Sequence, residues 1–224
     1  MDSVIFDLDG TLADTSGDLI AAANACFRDM GKGAQLDPEA DRAVAFNGGR
    51  AMLRLGFSRL GLAWTEADVS AHFDTLLAHY SADIDRHTRL YDGVVPMLGA
   101  LHEAGYALGV CTNKPEALAL TLLARLGLDG WFKSVIGADT LAWRKPDPRP
   151  LCAAIARLGG DPSRAVLIGD TRTDFETARA AGLPVVLVGF GPAGREVAAL
   201  GPDALLAHFD DLPAIVARLL PGRR

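Results

Sequence analysis

The chain has 224 residues, of which 50% are hydrophobic and 22% charged, and its formal net charge is -6. This length allows one large core, or one domain that carries an insertion. The acidic balance argues against nucleic-acid binding, which usually requires a basic face, but it is compatible with a small anionic substrate in a locally positive pocket. No apolar stretch is long enough to span a bilayer, so no membrane partner is expected.

The three cysteines, Cys26, Cys111 and Cys152, are odd in number and have no metal-ligand spacing. Met1 and Asp2 are followed at once by an apolar segment, which leaves no room for a targeting sequence. We therefore expect a protein of the reducing cytoplasm.

An acidic motif, Asp7-Leu8-Asp9-Gly10-Thr11, closes the first predicted strand, Val4–Phe6. Glycine tolerates the backbone angles of a tight turn, so Gly10 predicts that the chain leaves the strand there. Two carboxylates this close repel each other, and burying them raises one pKa or requires a cation. The motif indicates a metal site, an acid/base pair, or both.

No strand is predicted between about Ser16 and His87, where helical patterns cover Asp18–Met30, Arg50–Leu60 and Thr65–Asp83. The rest of the chain alternates strands with helices. The later strands are predicted at Tyr106–Cys111, Ser134–Ile136, Ala165–Ile168 and Pro184–Val188, and the helices at Gly93–Ala104, Pro115–Leu126, Pro150–Leu158 and Thr173–Ala181. This alternation is typical of βαβ units in a parallel sheet covered on both faces.

The predicted fold class is therefore α/β: a Rossmann-like, doubly wound parallel sheet with an inserted all-helical subdomain. Residues 1–15 and 88–224 would form the core, and residues 16–87 the insertion, whose two connections could act as a hinge. The Gly/Pro/Arg-rich end after Leu220 is expected to fray.

Polar residues follow several of the predicted strands, at the edge where open parallel sheets bind their ligands. They are Asp7, then Thr112 and Asn113, then Asp170, with Asp174 four residues further on one side of a helical turn. Lys145 lies in a loop that is stiffened by prolines. Each residue alone has a structural explanation as a turn residue, a helix cap or an exposed lysine. Capping does not explain why all of them converge on one sheet edge.

Taken together, these motifs resemble the haloacid dehalogenase superfamily of phosphotransferases. The matching residues occur in the family's order: Asp7-x-Asp9-Gly10-Thr11, Thr112-Asn113, Lys145-Pro146 and Gly169-Asp170-x-x-x-Asp174. Within the superfamily, the segments 112–115 and 169–174 look most like those of phosphoglycolate phosphatases. The resemblance implies that the helical insertion is a mobile cap.

The resemblance also implies a division of roles. Asp7 would be the nucleophile that forms an aspartyl-phosphate, and Asp9 would protonate the leaving alcohol and later take a proton from water. Thr112, Asn113 and the turn at Gly10 would hold the phosphoryl oxygens, and Lys145 would balance charge on Asp7 and phosphate. Dehalogenases as a group lack the second aspartate, so Asp9 favours phosphoryl transfer.

Charge counting indicates a metal. Asp7, Asp9, Asp170 and Asp174 could carry four negative charges, and a phosphomonoester adds about -1.5 to -2. Lys145 returns one positive charge. Mg²⁺ suits an all-oxygen shell, so we expect it as the cofactor. By resemblance, its ligands would be the Asp7 carboxylate, the Asp9 backbone carbonyl and Asp170, with Asp174 orienting a metal-bound water or steadying its neighbours.

The cap is expected to select the substrate. Gly48 and Gly49 form a glycine-rich turn before a helix, where amides can face an anion, and Arg50 could bind a substrate carboxylate. An exposed arginine after an ordinary turn explains the same residues equally well.

These observations predict a Mg²⁺-dependent phosphatase for a small phosphomonoester, with 2-phosphoglycolate first. A related phosphatase for a sugar phosphate or pyrophosphate, or a phosphosugar mutase, is the alternative enzyme. A non-catalytic phosphometabolite-binding module is the alternative of another class, although such a module has no need of Asp9.

One further motif competes with this interpretation. The segment 189–194 fits G-x-G-x-x-G after a strand, with Asp210 where a ribose-binding acid would lie. Too little chain follows it to complete a dinucleotide fold, and Pro192 lacks an amide hydrogen.

Overall fold

The computed structural model describes residues 1–221. The chain divides into two compact units, one formed by Met1–Ala13 with the chain from Leu90 onward, the other by Asp14–Arg89. The connections lie in two short strands that the sequence did not predict, β2 (Ala13–Asp14) and β3 (Arg89–Leu90), which form a two-stranded sheet. The expected fraying after Leu220 falls mainly on residues 222–224, outside the described part of the chain.

The first unit is built on a six-stranded parallel sheet with the strand order β5-β4-β1-β6-β7-β8. These strands are β1 (Ser3–Phe6), β4 (Ala107–Cys111), β5 (Ser134–Ile136), β6 (Ala165–Gly169), β7 (Val185–Val188) and β8 (Ala204–Leu206). The predicted α/β class with a parallel sheet is confirmed. Strand β8 was not predicted, because this short edge strand is buried only at Leu206.

Helices follow the strands of this sheet. They are α5 (Val94–Glu103), α6 (Glu116–Arg125), α7 (Arg149–Arg157), α8 (Arg172–Ala180) and α9 (Leu212–Leu219), with 3₁₀ helices at Gly194–Leu200 and Phe209–Asp211. The central strands β1, β4 and β6 are fully buried, and side chains of β1, β6 and β7 pack with those of α7 in one apolar cluster. Burial on both faces is what the continuous apolar runs of these strands dictate.

The register of the sheet determines where the polar strand ends meet. Phe6 at the end of β1 pairs with Val110 of β4 on one side and with Ile168 of β6 on the other. The loops after these three strands therefore leave the sheet at the same level. The central position of β1 places the first acidic motif between the other two loops.

The second unit is all-helical apart from the strand residues at its two ends. Its helices are α1 (Ser16–Asp29), α2 (Arg42–Ala45), α3 (Gly49–Arg59) and α4 (Glu66–Ala82). Gly56 lets α3 approach α1 closely, because a Cβ at this position would lie 2.2 Å from the Phe27 ring. Helix α2 was not predicted, since one turn carries too little periodicity to be detected.

A buried carboxylate ties the two ends of this unit together. Asp18, 2% exposed, accepts hydrogen bonds from the His87 amide (2.9 and 3.0 Å), the Thr88 amide (2.8 Å) and the Thr88 hydroxyl (2.7 Å). The neighbouring Gly17 passes so close that a Cβ there would lie 2.8 Å from the His87 Cβ.

Candidate active site

The first acidic motif begins directly after the central strand. The Asp7 amide donates to the Ile168 carbonyl at 2.8 Å, so the sheet pairing continues through this residue. The chain then turns at Gly10, whose φ of 78° favours glycine. One carboxylate oxygen of Asp7 accepts from the Leu8 amide at 2.7 Å, and the other lies 2.9 Å from the Lys145 Nζ. Both contacts fix the Asp7 side chain at the carboxyl end of β1.

Asp174 lies in the first turn of α8, and both of its carboxylate oxygens have hydrogen-bond donors. Oδ2 accepts from the Asp170 amide (3.2 Å), the Thr171 amide (3.0 Å) and the Thr171 hydroxyl (2.6 Å). Oδ1 lies 2.6 Å from the Lys145 Nζ. Gly169 makes this approach possible, because a Cβ there would meet the Asp174 Cβ at 2.4 Å.

One carboxylate oxygen of Asp170 has no hydrogen-bond donor in the described part of the chain. Its Oδ1 accepts from the Thr11 hydroxyl at 2.8 Å, whereas its buried Oδ2 has no hydrogen-bond partner within residues 1–221. Carboxylate oxygens of Asp7, Asp170 and Asp174 lie within 4.8 Å of one another. A buried, unpartnered oxygen beside two further carboxylates suits a divalent cation that prefers oxygen ligands. The residues present therefore fit the predicted Mg²⁺.

The pKa values of the clustered carboxyls also indicate a site for a cation. Burial, partly offset by Lys145 and reinforced by Asp174, raises the pKa of Asp7 to about 6. Burial, followed by the charges of Asp174 and Asp7, raises the pKa of Asp170 well above its ordinary value. Without a cation, the protein thus resists full ionisation of these carboxyls, and a bound cation would favour it.

Lys145 is the cation shared by two of these carboxylates. Burial by itself would lower the pKa of this lysine, but Asp174 and Asp7 outweigh burial and raise its pKa above the ordinary value. Its backbone is fixed as well, since the Lys145–Pro146 peptide is cis and the Lys145 carbonyl accepts from the Asn113 Nδ2 at 3.0 Å. Asn113 therefore supports the loop that carries Lys145.

Thr112 extends strand β4 by one residue. Its amide donates to the Ile136 carbonyl at 2.9 Å, and its buried hydroxyl oxygen accepts from the Lys114 amide at 3.2 Å. Thr112 thus lies at the predicted sheet edge. Its role in holding phosphate stays a prediction.

Asp9 is paired with a lysine that the sequence interpretation left out. The Lys114 Nζ lies 2.8 Å from Asp9 Oδ1 and 2.9 Å from Oδ2. The site therefore contains two buried lysines instead of one. Thr11, the donor to Asp170, was also missed. Both residues lie in the motifs that carry the other site residues, but their partners are 105 and 159 positions away in the chain, so the sequence does not show which side chains they contact.

The glycine-rich segment after β7 packs against the acidic motif. A Cβ on Gly191 would lie 3.0 Å from the Gly10 carbonyl oxygen and 3.1 Å from the Asp170 Cβ. The segment leads into the 3₁₀ helix Gly194–Leu200, so it does not open an α-helix as a dinucleotide fingerprint does. Close packing beside the site explains a glycine at position 191.

Arg50 belongs to the other unit, in the first turn of α3. Its Nη1 donates to the Ser70 hydroxyl at 3.0 Å, and its guanidinium carbon lies 4.4 Å from the centre of the Phe73 ring. Gly48, with a φ of 89°, is the residue before the helix. The roles predicted for Arg50 and for the turn at Gly48 and Gly49 stay predictions.

A parallel α/β sheet with a buried acidic cluster at the carboxyl ends of its strands is the architecture of a hydrolase family, and sequence comparison identifies the family. Residues 4–188 match the family of haloacid dehalogenase-like hydrolases. The chain belongs to this family. The predicted membership is confirmed, and so is the prediction of an enzyme of the phosphoric monoester hydrolase class.

The chain is similar to several phosphoglycolate phosphatases. It is 40% identical over 217 residues to that of Mesorhizobium japonicum, covering 97% of this chain and 95% of the relative. It is 41% identical over 217 residues to that of Rhodospirillum rubrum, covering 95% and 88%. The crystal structure of a predicted phosphoglycolate phosphatase from Haemophilus somnus 129PT superposes with a TM-score of 0.85 at 26% identity, covering 96% of this chain and 97% of that one. None of the helices within residues 1–221 has the length and apolar character needed to cross a membrane.

Proposed function

We propose that this protein is a Mg²⁺-dependent phosphatase that hydrolyses 2-phosphoglycolate through an aspartyl-phosphate. The observation that carries the proposal is the Asp7 carboxylate, 2.9 Å from Lys145 and within 4.8 Å of a carboxylate oxygen of Asp170, whose buried Oδ2 has no hydrogen-bond partner among residues 1–221. The names of the sequence relatives support the choice of substrate.

Asp7 is the nucleophile in this proposal. Its carboxylate oxygen attacks phosphorus and the bond from phosphorus to the ester oxygen breaks, while Asp9 gives a proton to the leaving alkoxide. Water then attacks the aspartyl-phosphate, Asp9 takes a proton from it, and inorganic phosphate leaves with Asp7 restored. Lys145 offsets negative charge on Asp7 in both steps.

Three groups would hold the cation: the Asp7 carboxylate, the Asp170 carboxylate through Oδ2, and the Asp9 backbone carbonyl. Asp174 is a weaker candidate for direct ligation, because both of its oxygens already accept hydrogen bonds. It would instead orient a bound water or steady Asp170. The ion, when bound, supplies positive charge that offsets the phosphoryl oxygens.

The loops after the strands are proposed to bind the phosphoryl group of the substrate. Thr112, Asn113 and the backbone turn at Gly10 are proposed to bind the phosphoryl oxygens, with Asn113 acting partly through Lys145. Arg50 is proposed to contact the substrate from the helical insertion, residues 16–87, which is proposed to be a cap. Both assignments agree with anion binding by backbone amides and arginine.

The test is a phosphate-release screen of small phosphomonoesters, with Mg²⁺ and with EDTA, on the wild type and Asp7→Asn. We expect Mg²⁺-dependent release, fastest with 2-phosphoglycolate, and at least a 1,000-fold loss of kcat in the variant, because the nucleophile is removed. Release in proportion to substrate consumed separates a phosphatase from a phosphosugar mutase. Near-normal activity of freshly prepared Asp7→Asn would disprove the assignment of the nucleophile.

Asp129→Asn is the matched control, because it makes the same change at an exposed position of the same unit. It should retain wild-type activity. Faster Mg²⁺-dependent release from a sugar phosphate or pyrophosphate would assign the chain to that substrate instead. Absence of release from every phosphomonoester would favour a binding module.

A further inference from the structure

Lys114 is a buried cation to which the proposed mechanism gives no role. Its side chain is 3% exposed, whereas the carboxylate that it contacts, Asp9, is 19% exposed. Burying an ammonium group costs free energy unless the group is paired, so a buried lysine needs a charged partner. Here the partner is the side chain proposed to carry the proton of the reaction.

The backbone around Lys114 is held from both sides. Its amide donates to the Thr112 hydroxyl oxygen at 3.2 Å, and its carbonyl accepts from the Ala138 amide at 2.9 Å. Gly137 allows this close approach, because a Cβ there would lie 2.8 Å from the Lys114 carbonyl oxygen. A fixed backbone limits where the ammonium group can lie, as precise recognition requires.

The two lysines of the site serve different carboxylates. Lys145 contacts Asp7 and Asp174, on the side where the cation and the attacking oxygen are proposed to lie. Lys114 contacts both oxygens of Asp9, the carboxyl proposed to protonate the leaving group. The charge of Lys114 therefore lies on the leaving-group side.

We propose that Lys114 binds the carboxylate of an acidic leaving group and so makes the site selective for phosphate esters of small 2-hydroxy acids. The proposal rests on the proposed function, which places Asp9 at the ester oxygen. A general acid must come within about 3 Å of the oxygen that it protonates. In 2-phosphoglycolate the carboxylate is attached to the carbon next to that oxygen. The Lys114 ammonium group, which is hydrogen-bonded to Asp9, is therefore close enough to reach the substrate carboxylate.

The same contact would affect Asp9. In the absence of substrate, Lys114 donates to both Asp9 oxygens. Transfer of one of these hydrogen bonds to the substrate carboxylate leaves one Asp9 oxygen able to take and give a proton. A neutral leaving group offers no such exchange, because it cannot compensate the lysine for losing a carboxylate oxygen.

The experiment measures kcat/KM of the Mg²⁺-loaded enzyme for 2-phosphoglycolate and for its neutral isostere, 2-phosphoglycolamide. We expect the wild type to prefer the acid by at least 100-fold. Lys114→Met, which keeps length but removes charge, should lower that preference at least tenfold, mainly through KM for the acid. Lys133→Met, the same change at an exposed lysine, should leave the preference unchanged.

Three outcomes would overturn the inference. An equal loss on both substrates would mean that Lys114 only positions Asp9. Loss of the preference in Arg50→Ala, but not in Lys114→Met, would assign the carboxylate to the cap. A wild type that hydrolyses both substrates equally well would overturn it without any variant.

A wild type that releases phosphate from neither substrate, but does so from other esters, would mean that the proposed function has failed and the inference with it. If Lys114→Met does not fold, Lys114→Gln takes its place, and the wild-type preference still tests the inference.

Discussion

Four aspartates and two lysines share the sheet edge of the larger unit, and each carboxylate has a different set of partners. Asp174 has donors on both oxygens, Asp7 has Lys145 and a backbone amide, and Asp9 has Lys114. Asp170 alone retains a buried oxygen without a donor among the residues described. This asymmetry makes Asp170 the residue whose charge costs the metal-free protein most.

Replacing Asp170 by asparagine tests how much its buried charge destabilises the metal-free protein. Because its pKa is raised in the folded protein, Asp170 contributes stability below its ordinary pKa of 3.8 and loses it as pH rises through the folded value. Without Mg²⁺ at pH 7.5, Asp170→Asn should therefore raise Tm by about 2–4 °C, equivalent to about 1 kcal/mol. Mg²⁺ should raise the Tm of the wild type but not that of the variant.

The same Tm measurement on Asp129→Asn provides the control. The increase in Tm of Asp170→Asn over the wild type should shrink as the pH is lowered towards 4. A variant that is less stable than the wild type in EDTA at pH 7.5 would contradict the proposed charge penalty.

At the residue scale, the acids were predictable because each follows a strand of a parallel sheet. Lys114 and Thr11 were not, since their roles depend on which side chain each one faces across the sheet edge. Lys114 and Asp9 are 105 positions apart in the chain, and only the fold brings them together.

At the scale of elements, the helical unit depends on the close crossing of α1 and α3. Gly56 faces Phe27, which packs edge-on against Phe57 with ring centres 5.3 Å apart. A methyl group at Gly56 would have to displace a buried aromatic ring whose own neighbours leave little room.

Gly56→Ala has two opposite effects on the free energy of unfolding. Alanine favours a helix over glycine by about 0.5–1 kcal/mol, but overpacking a core costs about 1–3 kcal/mol. Since the new Cβ would lie 2.2 Å from the Phe27 ring, we expect overpacking to dominate and the free energy of unfolding to fall by about 1–2 kcal/mol. Urea denaturation followed by circular dichroism measures the change.

Gly99→Ala in α5 is the matched control. Its Cβ would meet only Trp131, at 3.8 Å, so the helix preference should dominate and the variant should gain stability. An unchanged or higher stability of Gly56→Ala would show that the helix crossing can adjust.

The elements that the sequence predicted are those with a strong pattern. Strands β1, β4, β5, β6 and β7 are continuous apolar runs, and the long helices α1, α3 and α4 have a clear period. The short elements β2, β3, β8 and α2 were not predicted, because two to four residues carry no period, and the pairing of the three strands depends on distant segments. Helix α9 was not predicted either.

At the scale of the whole molecule, the chain leaves the sheet-bearing unit once and returns once. Both crossings are short, and Asp18 joins the segments next to them through residues 87 and 88. Asp18 has three different donors on a buried carboxylate, so its removal would take this acceptor from the part-buried His87 amide and from the buried Thr88 amide and hydroxyl.

We expect Asp18→Ala to lower the free energy of unfolding of the protein by about 2–3 kcal/mol, because several hydrogen bonds to a charged group are lost. Urea denaturation measures the loss, and limited proteolysis should locate new cleavage near residues 84–90. Asp83→Ala removes an exposed carboxylate that lies 3.6 Å from Arg86, and it should have little effect. Equal stability of the two variants would show that Asp18 does not hold the ends of the helical unit together.

The hydrogen bonds of Asp18 also bear on how such a chain can change during evolution. The two ends of this segment of about seventy residues lie close together, as the ends of a hairpin loop do. The segment can therefore be inserted between two elements of a fold, whatever lies between its ends. The entropy of closing a loop grows only slowly with length, and here the closure is made by the segment itself. The helices between residues 18 and 87 can therefore be lengthened, shortened or exchanged without altering the strand ends that carry Asp7 and Asp170.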